Sequence, residues 1–283
     1  MTSPVPERLL VIAGRGAYPH ILIESARAQG VRHIAVIAFP GETERAVARA
    51  ADEVRWVPVG ALRGFLDAVR ELDVRDAVMA GQIAPTNLFR VRPDADAWAL
   101  LKSLPAWNAR TIFGAVVRKI EELGIRVHRA DSFMETAMPS PGVLTRRPPD
   151  DREQADIRLG RRVAKATSAL EVGQTVVVKD GVILAVEAFE GTDEAIRRGG
   201  RLGGPGAVVV KTARTGHDMR YDIPVVGLQT MKVLRKVRAS ALAVEAGRTI
   251  LLERPKLIEL ADCWGMSVVA FPASDPVSPE EVS

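Results

Sequence analysis

The sequence is poor in the residues that anchor several common chemistries. Of its 283 residues one is cysteine, Cys263, and four are histidine. A single cysteine excludes an internal disulfide and any cysteine-rich zinc site, and it fits a reducing cytoplasm, the expected localisation. Cys263 itself reads as a small buried residue on an apolar helix. The dispersed histidines form no His-Glu-x-x-His pair, and no Gly-x-Ser-x-Gly elbow occurs, which argues against zinc-peptidase and serine-hydrolase chemistry. No run of ~18 apolar residues is present, so no membrane-spanning helix is expected. Met1 to Leu10 lacks a basic region followed by a long apolar run, so no secretory signal is expected either. Basic residues are not interleaved with aromatics, which excludes nucleic acid as a partner.

What remains is a globular composition. Hydrophobic residues make up 47% and charged residues 26%, enough apolar surface for a core. The net charge of +4, carried mainly by arginine, suits a phosphorylated or anionic substrate or an anionic membrane surface. The length suggests two domains.

The first half alternates strands with helices. Leu9–Ala13, His33–Ala38, Asp76–Ala80 and Ile125–His128 read as strands. Pro19–Gln29, Ala46–Ala51, Leu62–Leu72 and Asn108–Leu123 read as helices. This rhythm predicts an α/β fold with a Rossmann-like parallel sheet over residues 1–138. Ligands on such sheets sit at the carboxyl ends of strands, here Gly14-Arg15-Gly16 and Gly81-Gln82 with the polar loop that follows. Pro139, Pro141, Pro148 and Pro149 mark residues 139–151 as a linker. Residues 152–275 predict a mixed α+β domain opened by a helix and a Gln174–Lys179/Val182–Glu187 hairpin, and residues 276–283 a tail. Arg158, Arg161, Arg162 and Lys165 fall at helical spacing on an exposed face, either solvated or turned to anionic lipid headgroups.

Three motifs carry chemistry. Gly14-Arg15-Gly16 precedes Pro19, so the dinucleotide fingerprint is incomplete, and Ala38-Phe39-Pro40 offers no acid for a ribose. Nicotinamide binding is therefore not expected; a phosphate contact or a plain turn is. The stretch from Glu187 to Glu194 places Glu187, Glu190, Asp193 and Glu194 after a strand and before a helix, with Gly191 for the turn and Thr192 or Asp193 as a cap. Such acids either hold a hard cation such as Mg²⁺ or are simply solvated. Lys211 ends an apolar strand, and Asp218, Arg220 and Asp222 follow with His217. Lys211 and Arg220 suit phosphate, and Asp218 and Asp222 suit a metal or a water; a self-paired charged loop is the alternative. Glu245-Ala246-Gly247 reads as a turn and as a site wall.

These motifs, in this order, resemble the LpxI-type UDP-2,3-diacylglucosamine pyrophosphatases over almost the whole chain. The shared stretches are Ile12 to Pro19, Val172-Gly173-Gln174, Ala185 to Asp193, Lys211, Arg220 to Gly227 with Thr230, and Val244 to Gly247. The resemblance implies two domains, the first Rossmann-like. It implies hydrolysis of a UDP-diacylglucosamine lipid to 2,3-diacylglucosamine 1-phosphate (lipid X) and UMP in lipid A biosynthesis. It also implies Mg²⁺ or Mn²⁺ as cofactor, peripheral attachment to the inner membrane, and a homodimer. Asp222 matches the family's essential aspartate. On that reading Asp222, Lys211, Arg220 and Asp193 are catalytic, and Asp222, Glu187, Glu190 and Asp193 bind metal. Gly14, Gly16, Gln82, Gln174, Gly191, Thr192, Thr230 and Glu245 contact substrate. Ala109 and Arg110 depart from an acidic pair often found in the family, which motivates a second expectation, a non-catalytic nucleotide-sugar or phospholipid binder.

Overall fold

The computed structural model describes residues 5–83, 92–214, 216 and 218–273. The chain divides into two compact units. The first comprises residues 1–135 together with 218–222; the second comprises residues 136–217 and 223–283.

The first unit is built on a parallel sheet of β1 (Arg8–Ala13), β2 (His33–Ala38), β3 (Glu53–Trp56), β4 (Asp76–Ala80) and β5 (Arg126–Val127), in the order β3-β2-β1-β4-β5. β1 and β2 are buried at every position but the first, as near-continuous apolar runs require when helices cover both faces. The helices are α1 (Tyr18–Ala28), α2 (Arg45–Ala50), α3 (Leu62–Glu71), α4 (Ala95–Ser103) and α5 (Ala109–Glu121). Asn108 caps α5 as expected, accepting from the Thr111 N–H at 2.9 Å. β3 and α4 have no counterpart in the sequence pattern. β3 is a short, half-buried edge strand with Glu53 and Arg55 in it, and α4 buries only Ala97. Strand order reverses between β1 and β4, so the ligand crevice of this topology lies at their carboxyl ends.

The second unit holds a mixed sheet in the order β6-β13-β11-β9-β7-β8. Its strands are β6 (Gly142–Val143), β7 (Thr175–Lys179), β8 (Val182–Val186), β9 (Val208–Lys211), β11 (Ala241–Glu245) and β13 (Ser267–Phe271). β9, β11 and β13 run parallel, and β7 runs against both β8 and β9. A separate parallel pair joins β10 (Val225–Val226) to β12 (Ile250–Leu251). Ile157 and Ala164 of α6 (Asp151–Ala169) cover one face of the sheet. Ile196 of α7 (Thr192–Gly203), Met231 of α8 (Leu228–Lys236) and Leu257 of α9 (Arg254–Cys263) enter the core on the other. Residues 139–151, expected as a linker, belong to this unit, and β6 pairs antiparallel to β13.

Two expectations fail on burial. Cys263 ends α9 on its exposed side, because the buried stripe of that helix runs through Leu257 and Ala261. Lys165 does not share the exposed face of Arg158 and Arg162; it is buried, next to buried Ala164 and one turn before buried Ser168. Arg161 lies over the Phe271 ring at 4.4 Å.

Candidate functional site

In the second unit, β8, β9 and β11 end on the same side of the sheet, and antiparallel β7 begins there. That edge gathers most of the expected residues. Glu187 follows β8, Gly191 and Thr192 open α7, Lys211 ends β9, and Thr175 starts β7 beside Gln174. Gly191 has φ +82°, a left-handed turn that lets the chain leave β8 and enter α7 at once. Gly173 is packed so tightly on Glu187 that a Cβ would collide with the Glu187 carbonyl.

The polar side chains form one chain of contacts. Lys211, 4% exposed, donates to Thr192 Oγ1 at 2.7 Å and to Thr175 Oγ1 at 3.3 Å. Thr192 donates to Glu187 Oε1 at 2.9 Å. Glu187 Oε2 is buried with no hydrogen-bond partner. An ammonium has three donors, so Lys211 keeps one N–H beyond its two threonines. Asp193 accepts from Thr230 at 2.9 Å. Glu190 is engaged differently: Arg198 donates to it at 2.6 Å, and that bond holds its carboxyl below the ordinary range. The Gln174 carbonyl accepts from the Thr212 N–H at 2.9 Å, tying β7 to the end of β9.

Glu245, expected on a substrate wall, is fully buried. Lys165 binds both of its carboxylate oxygens at 2.8 Å.

In the first unit, the two glycine turns at the switch point are zipped together. Gly14 N–H donates to Ala80 O at 2.8 Å, Arg15 N–H to Gln82 O at 2.6 Å, and Gln82 N–H to Arg15 O at 3.2 Å. A Cβ on Gly14 would lie 2.5 Å from the Gln82 carbonyl oxygen, so this glycine serves the approach of two loops. Gly16 supplies a left-handed turn at φ +94°. Gln82 is exposed at the crevice. Arg15 pairs with buried Glu42 at 3.3 Å. The rest of the expected binding loop, residues 84–89, lies outside the described residues.

Asp222 and Arg220 also belong to the first unit. The Arg220 fork grips Asp218 (Nε–Oδ1 2.9 Å, Nη2–Oδ2 2.6 Å) and Glu121 (2.6 Å). The Asp218 bond above all raises the guanidinium pKa further and leaves only part of the fork for another anion. Tyr221 packs near Phe113 with ring centroids 6.3 Å apart; burial, then Asp218, push its phenol up. The Asp222 N–H donates to Asp218 O at 3.0 Å. His217 lies outside the described residues. Ala109 and Arg110 form the exposed start of α5, whose first turn has no acid.

Among the described residues no three His, Cys, Asp or Glu side chains gather as a metal cage. Mg²⁺ needs only one or two carboxylates when substrate phosphates and waters complete its shell. The free Glu187 oxygen fits that partial role, as does Asp193 with one oxygen on Thr230; Glu190, held by Arg198, fits it poorly. Sequence reasoning missed Thr175 as a partner of Lys211. It reads as an ordinary strand threonine, and nothing local marks it.

Comparison with known proteins follows the two units. The family model of the LpxI N-terminal domain matches residues 8–137, and that of the LpxI C-terminal domain matches residues 140–269. The UDP-2,3-diacylglucosamine pyrophosphatase LpxI of Caulobacter vibrioides is 30% identical over 277 residues, covering 93% of this chain and 96% of that protein. Two solved structures share only a TM-score of 0.27 and 13% identity, too little to carry an argument. The biotin carboxylase domain of Hydrogenobacter thermophilus 2-oxoglutarate carboxylase covers 69% of this chain and 41% of its own. Anaerococcus prevotii phosphoribosylglycinamide synthetase covers 68% and 40%. On the two family models and the Caulobacter relative, this chain belongs to the LpxI family.

Proposed function

We propose that the chain is a hydrolase that cleaves the pyrophosphate of UDP-2,3-diacylglucosamine to lipid X and UMP, a step of lipid A synthesis, with Mg²⁺ or Mn²⁺. Family membership supports the reaction. The observation that carries the site is the buried Lys211–Thr192–Glu187 chain at the end of the second unit's sheet. Lys211 offers its remaining N–H to a phosphate oxygen, where a positive charge in a site of low dielectric stabilises developing negative charge. Thr192 fixes the direction of that ammonium and orients Glu187. Glu187 and Asp193 would hold the cation. When bound, the cation neutralises phosphate charge and acidifies a water. Asp222 orients the attacking water. Gly16 and Gln82, at the glycine turns of the first unit, would contact nucleotide or sugar.

The membrane contact belongs on α4 and the residues after it. From Ala97 to Arg110 the chain has no acid, and it carries Lys102, Arg110 and two tryptophans. Trp98 and Trp107 are 43% and 56% exposed, with ring centroids 5.5 Å apart, and Lys102 lies 5.5 Å from the Trp98 ring. Exposed tryptophan beside lysine suits the headgroup level of an anionic bilayer. Among the described residues no helix is long and apolar enough to cross a membrane.

The test is product analysis. Purified protein with UDP-2,3-diacylglucosamine and Mg²⁺ is expected to release UMP and lipid X, and EDTA to stop it. Asp222→Ala is expected to abolish turnover with folding intact. Binding without product in the wild type would favour the non-catalytic reading that Ala109 and Arg110 motivate.

A further inference from the structure

Lys165 and Glu245 form the most completely buried ion pair among the described residues, with side chains 6% and 0% exposed. The pair is saturated. The Lys165 ammonium donates to both Glu245 oxygens and to the Ala213 carbonyl, each at 2.8 Å. Glu245 Oε2 accepts in turn from the Ala213 N–H at 2.8 Å. One residue, Ala213, thus has both backbone polar groups held by one ion pair.

Ala213 occupies a particular place. It lies two residues after Lys211, the cation of the candidate site, and it begins the excursion that carries Asp218 to Asp222 into the first unit. The excursion is fixed again where it returns, through β10 pairing with β12 and the Ile250 N–H donating to the Pro224 carbonyl at 2.9 Å. Lys165 comes from α6 and Glu245 from the end of β11, so two elements far apart in sequence set the point of departure.

A buried ion pair is a poor device for stability alone. Desolvation of the two charges consumes most of what their attraction returns, and apolar replacements are often neutral or stabilising. What it provides is direction: two charges with fixed partners admit one arrangement of the backbone between them. Neither side chain can touch a substrate, since both are buried and each is fully engaged. Glu245 therefore leaves the set of substrate contacts.

We propose that Lys165 and Glu245 are positioning residues, which hold Ala213 and through it set Lys211, two residues earlier, for hydrolysis. This rests on the functional reading given above. It predicts a loss in kcat rather than in KM, because neither residue contributes to substrate binding. A displacement on the order of 1 Å at a reacting group can cost about 10²-fold in rate.

The experiment uses the full chain with Mg²⁺ and UDP-2,3-diacylglucosamine, in three forms. Glu245→Asp keeps both charges but withdraws the carboxylate by one methylene. Lys165→Gln combined with Glu245→Gln removes both charges but keeps amides able to meet the Ala213 N–H and carbonyl. Thermal melting identifies which variants are folded at the assay temperature. The expected result for Glu245→Asp is a kcat about 10²-fold down, with KM and the shape of the pH–rate profile unchanged. If Glu245→Asp does not fold, the double glutamine variant decides by the same kcat and KM reading. A folded variant with kcat within about twofold of wild type overturns the positioning role and leaves the reaction assigned. A wild type that releases no UMP overturns the reaction itself, and the positioning role with it.

Discussion

The Thr192 hydroxyl is the link on which the candidate site depends, and Thr192→Val removes it with little change of shape. Valine keeps the β-branch, so the first residue of α7 retains its χ1 restriction and similar helix propensity. The loss is confined to polar contacts. Lys211 loses its 2.7 Å acceptor and keeps only Thr175 at 3.3 Å, while Glu187 loses the 2.9 Å donor to its single satisfied oxygen. Hydrogen bonds to charged groups are worth about 1.5–3 kcal/mol each, and Lys211 keeps part of its share, so the total is about 2–4 kcal/mol on the second unit. Urea unfolding is expected to show that loss as a lower midpoint at unchanged slope. Turnover is expected to fall further than stability explains, because the ammonium is no longer aimed. Thr192→Ser retains the hydroxyl and is expected to lie close to wild type in both assays. Equal stability and equal turnover in the valine variant would refute the role given to this cluster.

Two further expectations come from other parts of the molecule. Burial would raise the Glu153 carboxyl, but Arg147 at 2.8 and 2.9 Å and the Glu153–Asp150 capping box overcome it and hold it below its ordinary value. A depressed carboxyl contributes stability above its unfolded pKa of about 4.3 that is lost as pH falls through the folded value. Acid unfolding should therefore steepen below about pH 4.3. Arg147→Met should remove that contribution and, because the half-exposed guanidinium is partly screened by water, cost about 1–3 kcal/mol at neutral pH, as measured by denaturation at several pH values. At the proposed membrane face, Trp98→Ala with Trp107→Ala should weaken binding to vesicles containing phosphatidylglycerol by tenfold or more, about 1.4 kcal/mol or above. Co-sedimentation undiminished in that variant would move the contact elsewhere.

The sequence made the sheets legible where burial is one-dimensional. β1 and β2 are apolar runs, β1 closed by Gly14 and β2 by Phe39-Pro40, and each lies within a residue of its expected place; β9 ends at Lys211 as expected. β3 escaped because an edge strand with Glu53 and Arg55 has no apolar run, and α4 because it buries a single residue. The acids around Gly191 could be located but not sorted. Whether Glu190 meets Arg198 or Glu187 meets Thr192 depends on which side chains face each other across a turn and a helix, which spacing does not fix. Lys165 was misread for a related reason. Its helical spacing matches three arginines, but its ammonium is covered by the Ala213 carbonyl and Glu245, 48 and 80 residues away in the chain. Glu245, in turn, looked like part of a polar turn because its partner lies 80 residues away.

The two buried polar networks of the second unit differ in one respect that separates their roles. The Lys165–Glu245 pair is closed: every ammonium hydrogen and both carboxylate oxygens have partners within the fold, so a ligand could add nothing to it. The Lys211–Thr192–Glu187 chain is open at both ends, with a spare N–H on Lys211 and a buried carboxylate oxygen on Glu187 without a hydrogen bond. Other buried atoms share that lack among the described residues, including the hydroxyls of Thr212, Thr249 and Ser267. A neutral hydroxyl left so costs about 1–3 kcal/mol, and a charged oxygen costs more. Selection for stability alone would close or neutralise such an end. An open cationic end and an open anionic end joined by one threonine match a ligand that carries both charges, and a phosphate with its divalent cation is such a ligand.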